Sequence, residues 1–251
     1  LRAARALMGE PDEGRLPLQG MVSSTGFRNP PLAVYLISLP LLFSRDPLAL
    51  TGFVIALNLA AVLGAFWLGR RYWSLAVGLL AALLFAVSPW AVQHSRGVLG
   101  QDLLAPGVVL LMIFTLAWFG AGRRWMLTAA LATLAALIQV HLAAIALAPV
   151  LLMLVGWELI EQRRRGAAAR LWQPLALGLL LGALLFLPYL VADAQQGWTN
   201  VRGFLGQDGA GEGEEHLRAI DQVEALGLLG RGAAAQRAEA GVLQLPDEGD
   251  L

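Results

Sequence analysis

The sequence predicts an all-α fold: a polytopic transmembrane helix bundle with short juxtamembrane helices and a poorly ordered C-terminal tail. Of its 251 residues, 57% are hydrophobic and only 14% are charged, whereas a soluble domain carries about 25% charged residues. The mean hydropathy is +0.63. Several apolar runs also approach or exceed the roughly 20 residues that a helix needs to cross a bilayer. These observations together indicate a membrane protein with several spans.

The composition also excludes several kinds of chemistry. The formal net charge is zero, so nothing indicates a nucleic-acid partner. There is no cysteine, which excludes disulfides, thiolate metal sites and a cysteine nucleophile. All 18 basic residues are arginine, which excludes a lysine Schiff base. We expect no cofactor. The sequence starts at Leu1 without a signal pattern, so we expect it to be part of a longer protein.

Both ends of the sequence are more polar than its centre. Residues 1–46 are predicted to form an outer-face loop with juxtamembrane helices, including a short helix from Arg2 to Met8 that Gly9 ends. The apolar stretch from Leu32 to Phe43 has 12 residues, too few to cross about 30 Å of hydrocarbon, so we expect it to lie along the interface. Residues 193–251 are predicted to be an extramembrane tail in which only Glu214 to Leu229 is modestly amphipathic.

Residues 47–192 are predicted to form the transmembrane bundle. The 32 mostly apolar residues from Met126 to Trp157 lie between two arginine clusters. Because cytoplasmic loops concentrate arginine, both clusters belong on one side, and this stretch should turn back near Gln139 to His141. Two short crossings and one crossing with a re-entrant turn both remain open. The predicted spans are 47–69, 74–93, 103–120, 126–140, 142–157 and 171–192.

This topology gives the bundle a predicted orientation. Between residues 47 and 192, eight arginines lie in the inner loops and only Arg96 in an outer loop. The outer face then collects residues 1–31, the turn from Ser88 to Asp102, the hairpin tip at Gln139 to His141, and the tail. Polar side chains crowd the Ser88 to Asp102 turn, which predicts a functional site. The alternative is an ordinary loop whose charges are solvated.

Four sets of residues resemble the amino-terminal half of the GT-C superfamily of membrane glycosyltransferases, which includes protein O-mannosyltransferases and aminoarabinose transferases. The resemblance covers roughly residues 1–200, and each motif is weak alone. The residues are Asn29-Pro30-Pro31-Leu32 with Tyr35 and Leu39-Pro40; Asp46-Pro47 with Gly69-Arg70-Arg71; Ser88-Pro89 with Ser95-Arg96 and Gln101-Asp102; and Gln139-Val140-His141 with Pro149.

The resemblance implies an activity. Such enzymes take a sugar from a polyprenyl-phosphate carrier and pass it to a hydroxyl of a protein, lipid or glycan at the outer face of the membrane. The members whose motifs are most similar to this sequence are bacterial, which implies the bacterial inner membrane. A carboxylate just before the first short helix acts as general base. Here that carboxylate is expected upstream of Leu1, so this chain alone should be catalytically incomplete. The acidic residues Glu10, Asp12 and Glu13 follow the helix and form, on the simpler interpretation, a solvated turn.

The resemblance also singles out substrate-binding candidates. Arg28 and Arg96 would hold the carrier's phosphate, since guanidinium pairs with phosphate oxygens; lipid-headgroup or loop contacts are the alternative. Gln101 and Asp102 would bind substrate. Asp102 would shape the substrate pocket or take part in catalysis, or it would only favour a helix dipole. Gln139 and His141 would line the site, or would form a packed, hydrogen-bonded pair.

Two further alternatives concern metal ions and transport. His94 and Asp102 supply two potential metal ligands without a third, so we predict no metal. The expected partners are a polyprenyl-phosphate-linked sugar, membrane lipids and an unidentified hydroxyl acceptor. The rival function is a non-enzymatic transporter or scaffold for a lipid-linked or anionic substrate. A transporter typically shows internal repeats and broken helices near mid-bilayer, and the sequence shows no repeat.

Overall fold

The computed structural model describes residues 17–20, 28–44, 46, 48–166 and 169–204. Throughout these residues the regular elements are helices, which confirms the predicted all-α class. The predicted helices Arg2–Met8 and Glu214–Leu229 lie outside the described residues, as do Glu10, Asp12 and Glu13.

The chain divides into two compact units, Leu1–Trp198 and Thr199–Leu251. Three 3-10 helices accompany the α-helices of the first unit: Leu39–Leu42 after α1, Gly100–Leu103 before α5, and Leu142–Leu147 before α7. In the second unit the described residues form helix α9. The α-helices are α1 (Leu32–Ser38), α2 (Leu48–Tyr72), α3 (Leu75–Val87), α4 (Pro89–His94), α5 (Leu104–Phe119), α6 (Met126–Val140), α7 (Ala148–Arg164), α8 (Ala169–Gln195) and α9 (Thr199–Phe204).

Four helical stretches are long and apolar enough to cross a membrane: Leu48–Tyr72, Gly100–Phe119, Leu142–Arg164 and Arg170–Gln195. Large apolar side chains such as Leu59, Leu83, Leu152 and Leu179 are exposed along the helices. Water would penalise so much exposed apolar surface, whereas lipid does not. The chain is therefore an all-α membrane protein.

Small residues let neighbouring helices pack closely. Helix α2 packs antiparallel against α3 and also against α5, and α6 packs between α5 and α8. A Cβ added at Gly69 would lie 2.6 Å from Gly78 Cα, and one at Gly178 would lie 2.7 Å from Leu131 Cδ1. Such close approach is how helices gain dispersion energy in lipid, where no hydrophobic force drives them together.

Two apolar cores hold the first unit together. The larger core joins α5, α6, α7 and the start of α8, with Leu127 and Ala130 fully buried. The smaller core joins α1, α2, the Gly100–Leu103 helix and the end of α6, and it supports the turn that contains the polar residues. Its buried members are Ala33, Ile37, Val54, Leu103 and Val140.

The structure divides the predicted span 74–93 into α3 and α4. Ser88 is extended, with ψ 119°, and its hydroxyl is the N-cap of α4. Pro89 follows at the first helical position, where its missing N–H is tolerated, but it cannot continue α3. The 13 residues of α3 rise only about 20 Å. Helix α3 alone is thus shorter than the hydrocarbon core of a bilayer.

Candidate active site at the polar end of the bundle

Separate parts of the chain meet at one end of the bundle, which we call the polar end: the start of α1, residues 95–103 and the end of α6. A Cβ added at Gly100 would lie 2.5 Å from the carbonyl oxygen of Val140 and 3.4 Å from Ala33 Cβ. The Tyr189 hydroxyl on α8 donates a hydrogen bond to the Arg28 carbonyl at 3.1 Å. The segments that contain Arg28, Arg96 and Gln139 are therefore brought to the same end.

The opposite end, which we call the arginine end, carries the basic residues. A Cβ added at Gly120, at the end of α5, would lie 3.3 Å from Tyr72 Cε1 at the end of α2. Near the start of α6, the Thr128 hydroxyl donates a hydrogen bond to the Pro174 carbonyl on α8 at 2.8 Å. The ends of α2 and α5 therefore lie close together, as do the starts of α6 and α8, and arginines lie at or beside these helix ends. The arginines at or beside them are Arg70, Arg71, Arg123, Arg124, Arg163, Arg164, Arg165 and Arg170.

The carboxylate of Asp102 is the most deeply buried charged group of the polar turn. The residue is 2% exposed. Its Oδ1 lies 2.7 Å from His94 Nδ1, and its Oδ2 accepts a hydrogen bond from the Leu99 N–H at 2.8 Å. Both carboxylate oxygens are thus satisfied, as burial of a charge requires. Asp102 does more than complement a helix dipole, because it joins α4 to the Gly100–Leu103 helix.

His94 ends α4 and presents a half-buried imidazole. An ionised carboxylate only accepts hydrogen bonds, so Nδ1 of His94 is the donor in this contact when Asp102 is ionised. Among the described residues Nε2 has no hydrogen-bond partner, and it is not one of the buried unpaired atoms. Trp90, one turn earlier, packs on the imidazole with ring centroids 4.2 Å apart. The ring is therefore held by Asp102 at Nδ1 and by Trp90, with 16% of the side chain exposed.

Asn58 fixes the turn to the middle of α2. Its Nδ2 donates hydrogen bonds to the carbonyls of Val54 at 3.0 Å and of Asp102 at 3.2 Å. Its Oδ1 is buried without a partner in the described structure. Sequence reasoning did not include Asn58, Trp90 or His94 among the site residues. An amide inside an apolar span is the signal that identifies Asn58.

The remaining predicted residues differ in accessibility. Arg28 and Arg96 are exposed, and Gln101 and His141 are half-buried. Gln139 is 2% exposed, and its Nε2 has no partner in the part of the chain that the structure describes. No hydrogen bond joins Gln139 to His141 among the described residues, so the hydrogen-bonded pair considered from the sequence is not observed.

The segment before α1 is tied to the same end of the bundle. The Tyr35 hydroxyl donates a hydrogen bond to the Pro17 carbonyl. Burial raises the pKa of Tyr35 above its ordinary value, because the phenolate is less well solvated there. The hydroxyl therefore remains a donor at physiological pH and holds Pro17 beside α1.

The chemistry of this site is that of a carboxylate–imidazole pair with a nearby exposed guanidinium. No group of three or more metal-ligating side chains occurs in the described residues. Such a pair can orient a ring nitrogen and stabilise charge on it, while an exposed arginine can bind an anion.

Comparisons of this chain with protein-family models, curated proteins and solved structures give no match.

Proposed function

We propose that the chain belongs to a membrane glycosyltransferase that moves a sugar from a polyprenyl-phosphate carrier to a hydroxyl of a protein, lipid or glycan. The observation that supports this proposal is the buried Asp102 carboxylate, which lies at the polar end of an apolar bundle with exposed Arg96 six residues before it. A lipid-linked sugar needs this combination, because its prenyl tail prefers hydrocarbon and its phosphate prefers cations.

The two exposed arginines have the chemistry that the leaving group requires. Cleavage of the bond between the sugar and the phosphate leaves negative charge on the carrier. Preorganised cationic donors stabilise such charge as it develops, and guanidinium does so with two parallel hydrogen bonds. Arg96 lies in the turn itself, and Arg28 lies just before α1 at the same end. Both supply candidate contacts to the phosphate, and Gln101 and His141 supply polar contacts to the sugar.

We place the protein in the bacterial inner membrane with the polar end facing outward. The arginine clusters at the opposite end support this orientation, because short cytoplasmic loops concentrate basic residues. The partners are then a polyprenyl-phosphate-linked sugar, the surrounding lipids and a hydroxyl acceptor on the extracytoplasmic side.

Sugar transfer can be measured in membranes of cells that express the complete gene. The donors are undecaprenyl phosphates that carry radiolabelled mannose, glucose or aminoarabinose, tested separately. We expect one label to leave the carrier and appear in the protein, lipid A or glycan fraction. Arg96→Ala and Asp102→Ala should each lower this transfer at least tenfold at equal membrane content. The exposed neighbour substitution Gln93→Ala should not.

The same experiment separates the enzyme from its rival. A transporter would move the labelled carrier across the bilayer with the sugar still attached. A scaffold would neither move nor cleave it. Label that stays on undecaprenyl phosphate at the level of membranes lacking the gene, for all three donors, would contradict the transferase.

A further inference from the structure

We propose that the arginine end contains a binding site for a membrane phospholipid whose headgroup carries two phosphates. The site lies between the end of α2 and the turn that joins α5 to α6, where the sequence places the pairs Arg70-Arg71 and Arg123-Arg124. Each pair binds one phosphate of the same headgroup. This inference depends neither on the proposed sugar transfer nor on which end of the bundle faces the cytoplasm.

The packing of the helices brings the two arginine pairs to one place. The pair Arg70-Arg71 lies in the last turn of α2, directly before Tyr72. A Cβ added at Gly120 would lie 3.3 Å from Tyr72 Cε1, so α2 and α5 end side by side. Arg123 follows Gly120 by three residues, and its N–H donates a hydrogen bond to the Ala117 carbonyl at 3.1 Å. This bond folds the chain back at the end of α5, and both pairs therefore flank the same contact between helix ends.

The four guanidinium groups lack a carboxylate that could neutralise them. All four arginines are exposed. Between residues 47 and 157 the sequence contains one acidic residue, Asp102, and it lies at the polar end beside His94. In the part of the chain that the structure describes, none of the four arginines forms an ion pair. The arginines of α7 differ, because Arg165 pairs with Glu161 at 2.8 Å.

Aromatic side chains place these arginines at the depth of the lipid headgroups. Tyr72 makes edge-to-face ring contacts with Trp67 and with Trp73, at centroid distances of 6.4 Å and 6.2 Å. The Arg124 guanidinium lies 5.3 Å from the centroid of the exposed Trp125 ring. Tryptophan and tyrosine concentrate where the hydrocarbon meets the headgroups. The neighbouring guanidinium groups therefore reach the level of the lipid phosphates.

The arrangement of charge favours a headgroup with two phosphates. A guanidinium donates two parallel hydrogen bonds to phosphate oxygens, and basic pockets between membrane helices bind multiply charged headgroups. Once one phosphate is bound by one arginine pair, the second phosphate of the same lipid is held close to the other pair, so its binding costs less than that of a separate molecule. A lipid with one phosphate, or free inorganic phosphate, gains no such advantage.

The test is native mass spectrometry of the purified chain in detergent, titrated with cardiolipin as the two-phosphate probe. The wild type should bind one cardiolipin saturably. Arg71→Gln with Arg123→Gln removes one guanidinium from each pair and should weaken binding about tenfold or more. The matched control is Arg163→Gln with Arg164→Gln, which removes the same charge from the same end and should bind as the wild type does. All these arginines are exposed, so circular dichroism should show equal helix content in the three proteins.

Two further probes identify the ligand chemistry. Phosphatidylglycerol, which has one phosphate, should bind about tenfold more weakly than cardiolipin, and inorganic phosphate should not displace cardiolipin. Equal affinity for the two lipids would overturn the two-phosphate headgroup. Displacement by inorganic phosphate would show a site for a free anion instead of a lipid. Equal weakening in the two double variants would show that lipid is attracted to the whole basic surface, and the site would be refuted.

A second measurement follows stability in place of mass. A ligand that binds only the folded chain raises its unfolding midpoint. Cardiolipin should therefore raise the midpoint of the wild type and of the α7 control in detergent, and should leave that of the Arg71→Gln, Arg123→Gln variant almost unchanged. An equal rise in all three proteins would contradict a site at the ends of α2 and α5.

Discussion

Asn58 donates a hydrogen bond from Nδ2 to the main-chain carbonyl of Asp102 at 3.2 Å, and so connects the interior of a membrane-spanning helix to the polar turn. The Asp102 side chain in turn binds His94 and the Leu99 N–H. The bond between Asn58 and Asp102 is buried, so loss of one partner leaves the other unsatisfied. Asn58 therefore sets the position of the turn against α2, although it is 44 residues away in sequence.

Asn58→Ala should destabilise the protein and loosen the turn. The substitution leaves the buried Asp102 carbonyl without its side-chain donor, and such a loss costs about 1–3 kcal/mol. The helix content of the variant can be followed by circular dichroism during unfolding in mixed detergents. Leu59→Ala is the matched control, because Leu59 is the next residue of α2 and is exposed. Equal unfolding midpoints for Asn58→Ala and the wild type would contradict this prediction.

Gly97→Ala should displace the Asp102 carboxylate. A Cβ at residue 97 would overlap all three atoms of the carboxyl group, so the bond to His94 must lengthen or break. We expect the ring nitrogen signals of His94 to move in nitrogen-15 spectra of histidine-labelled protein in nanodiscs, and sugar transfer to fall at least tenfold. Gly52→Ala is the control, because a Cβ there meets nothing within 4 Å and alanine is the better helix former. An unchanged His94 signal in Gly97→Ala would show that the turn adjusts without moving Asp102.

Gly178→Ala should weaken the contact between α6 and α8. The new Cβ would lie 2.9 Å from Leu131 Cβ and 3.2 Å from the main-chain Cα of Thr128, and these atoms move only if a helix moves. Overpacking of this kind costs about 1–3 kcal/mol. The same detergent unfolding measures it, with Gly156→Ala as control because that Cβ contacts nothing within 4 Å. A Gly178→Ala midpoint as high as that of Gly156→Ala would show that the two helices separate at little cost.

The parts of the fold that depend on hydropathy could be predicted from the sequence. The all-α class followed from apolar content and run length. Helix α6 ends at Val140, beside the predicted turn, where the backbone of His141 is extended. The polar turn was predicted to begin at Ser88, but the predicted span 74–93 extended past this break, since Trp90 to Val92 continue the apolar run. A hydropathy average changes little at a single Ser-Pro pair, although the backbone geometry of Ser88 and Pro89 ends helix α3.

The candidate site was harder to predict because it depends on a folded turn. Asp102 stood out as a charge between apolar runs, but its contact with His94 needs the chain to reverse through Gly97 and Gly100, which periodicity does not reveal. From the sequence, His94 and Asp102 were therefore considered together only as two potential metal ligands that lack a third. Asn58 was missed because one amide hardly changes the hydropathy of a 25-residue helix. Gln139 is almost fully buried, and its place in the lining of the site stays a prediction.

The sidedness of the two ends can be tested directly, because the chain contains no cysteine. Ser95→Cys places a thiol in the polar turn, and Ala121→Cys places one at the arginine end, where Ala121 is exposed. If the arginine clusters lie in the cytoplasm, as we propose, an impermeant maleimide should label Ser95→Cys in intact cells. It should label Ala121→Cys only after the cells are permeabilised. A third variant, Gln93→Cys, has an exposed side chain beside Ser95 and checks that labelling at residue 95 is not limited by local packing. Labelling of Ala121→Cys alone in intact cells would reverse the orientation, and the proposed transfer would then have to draw its carrier from the cytoplasmic leaflet.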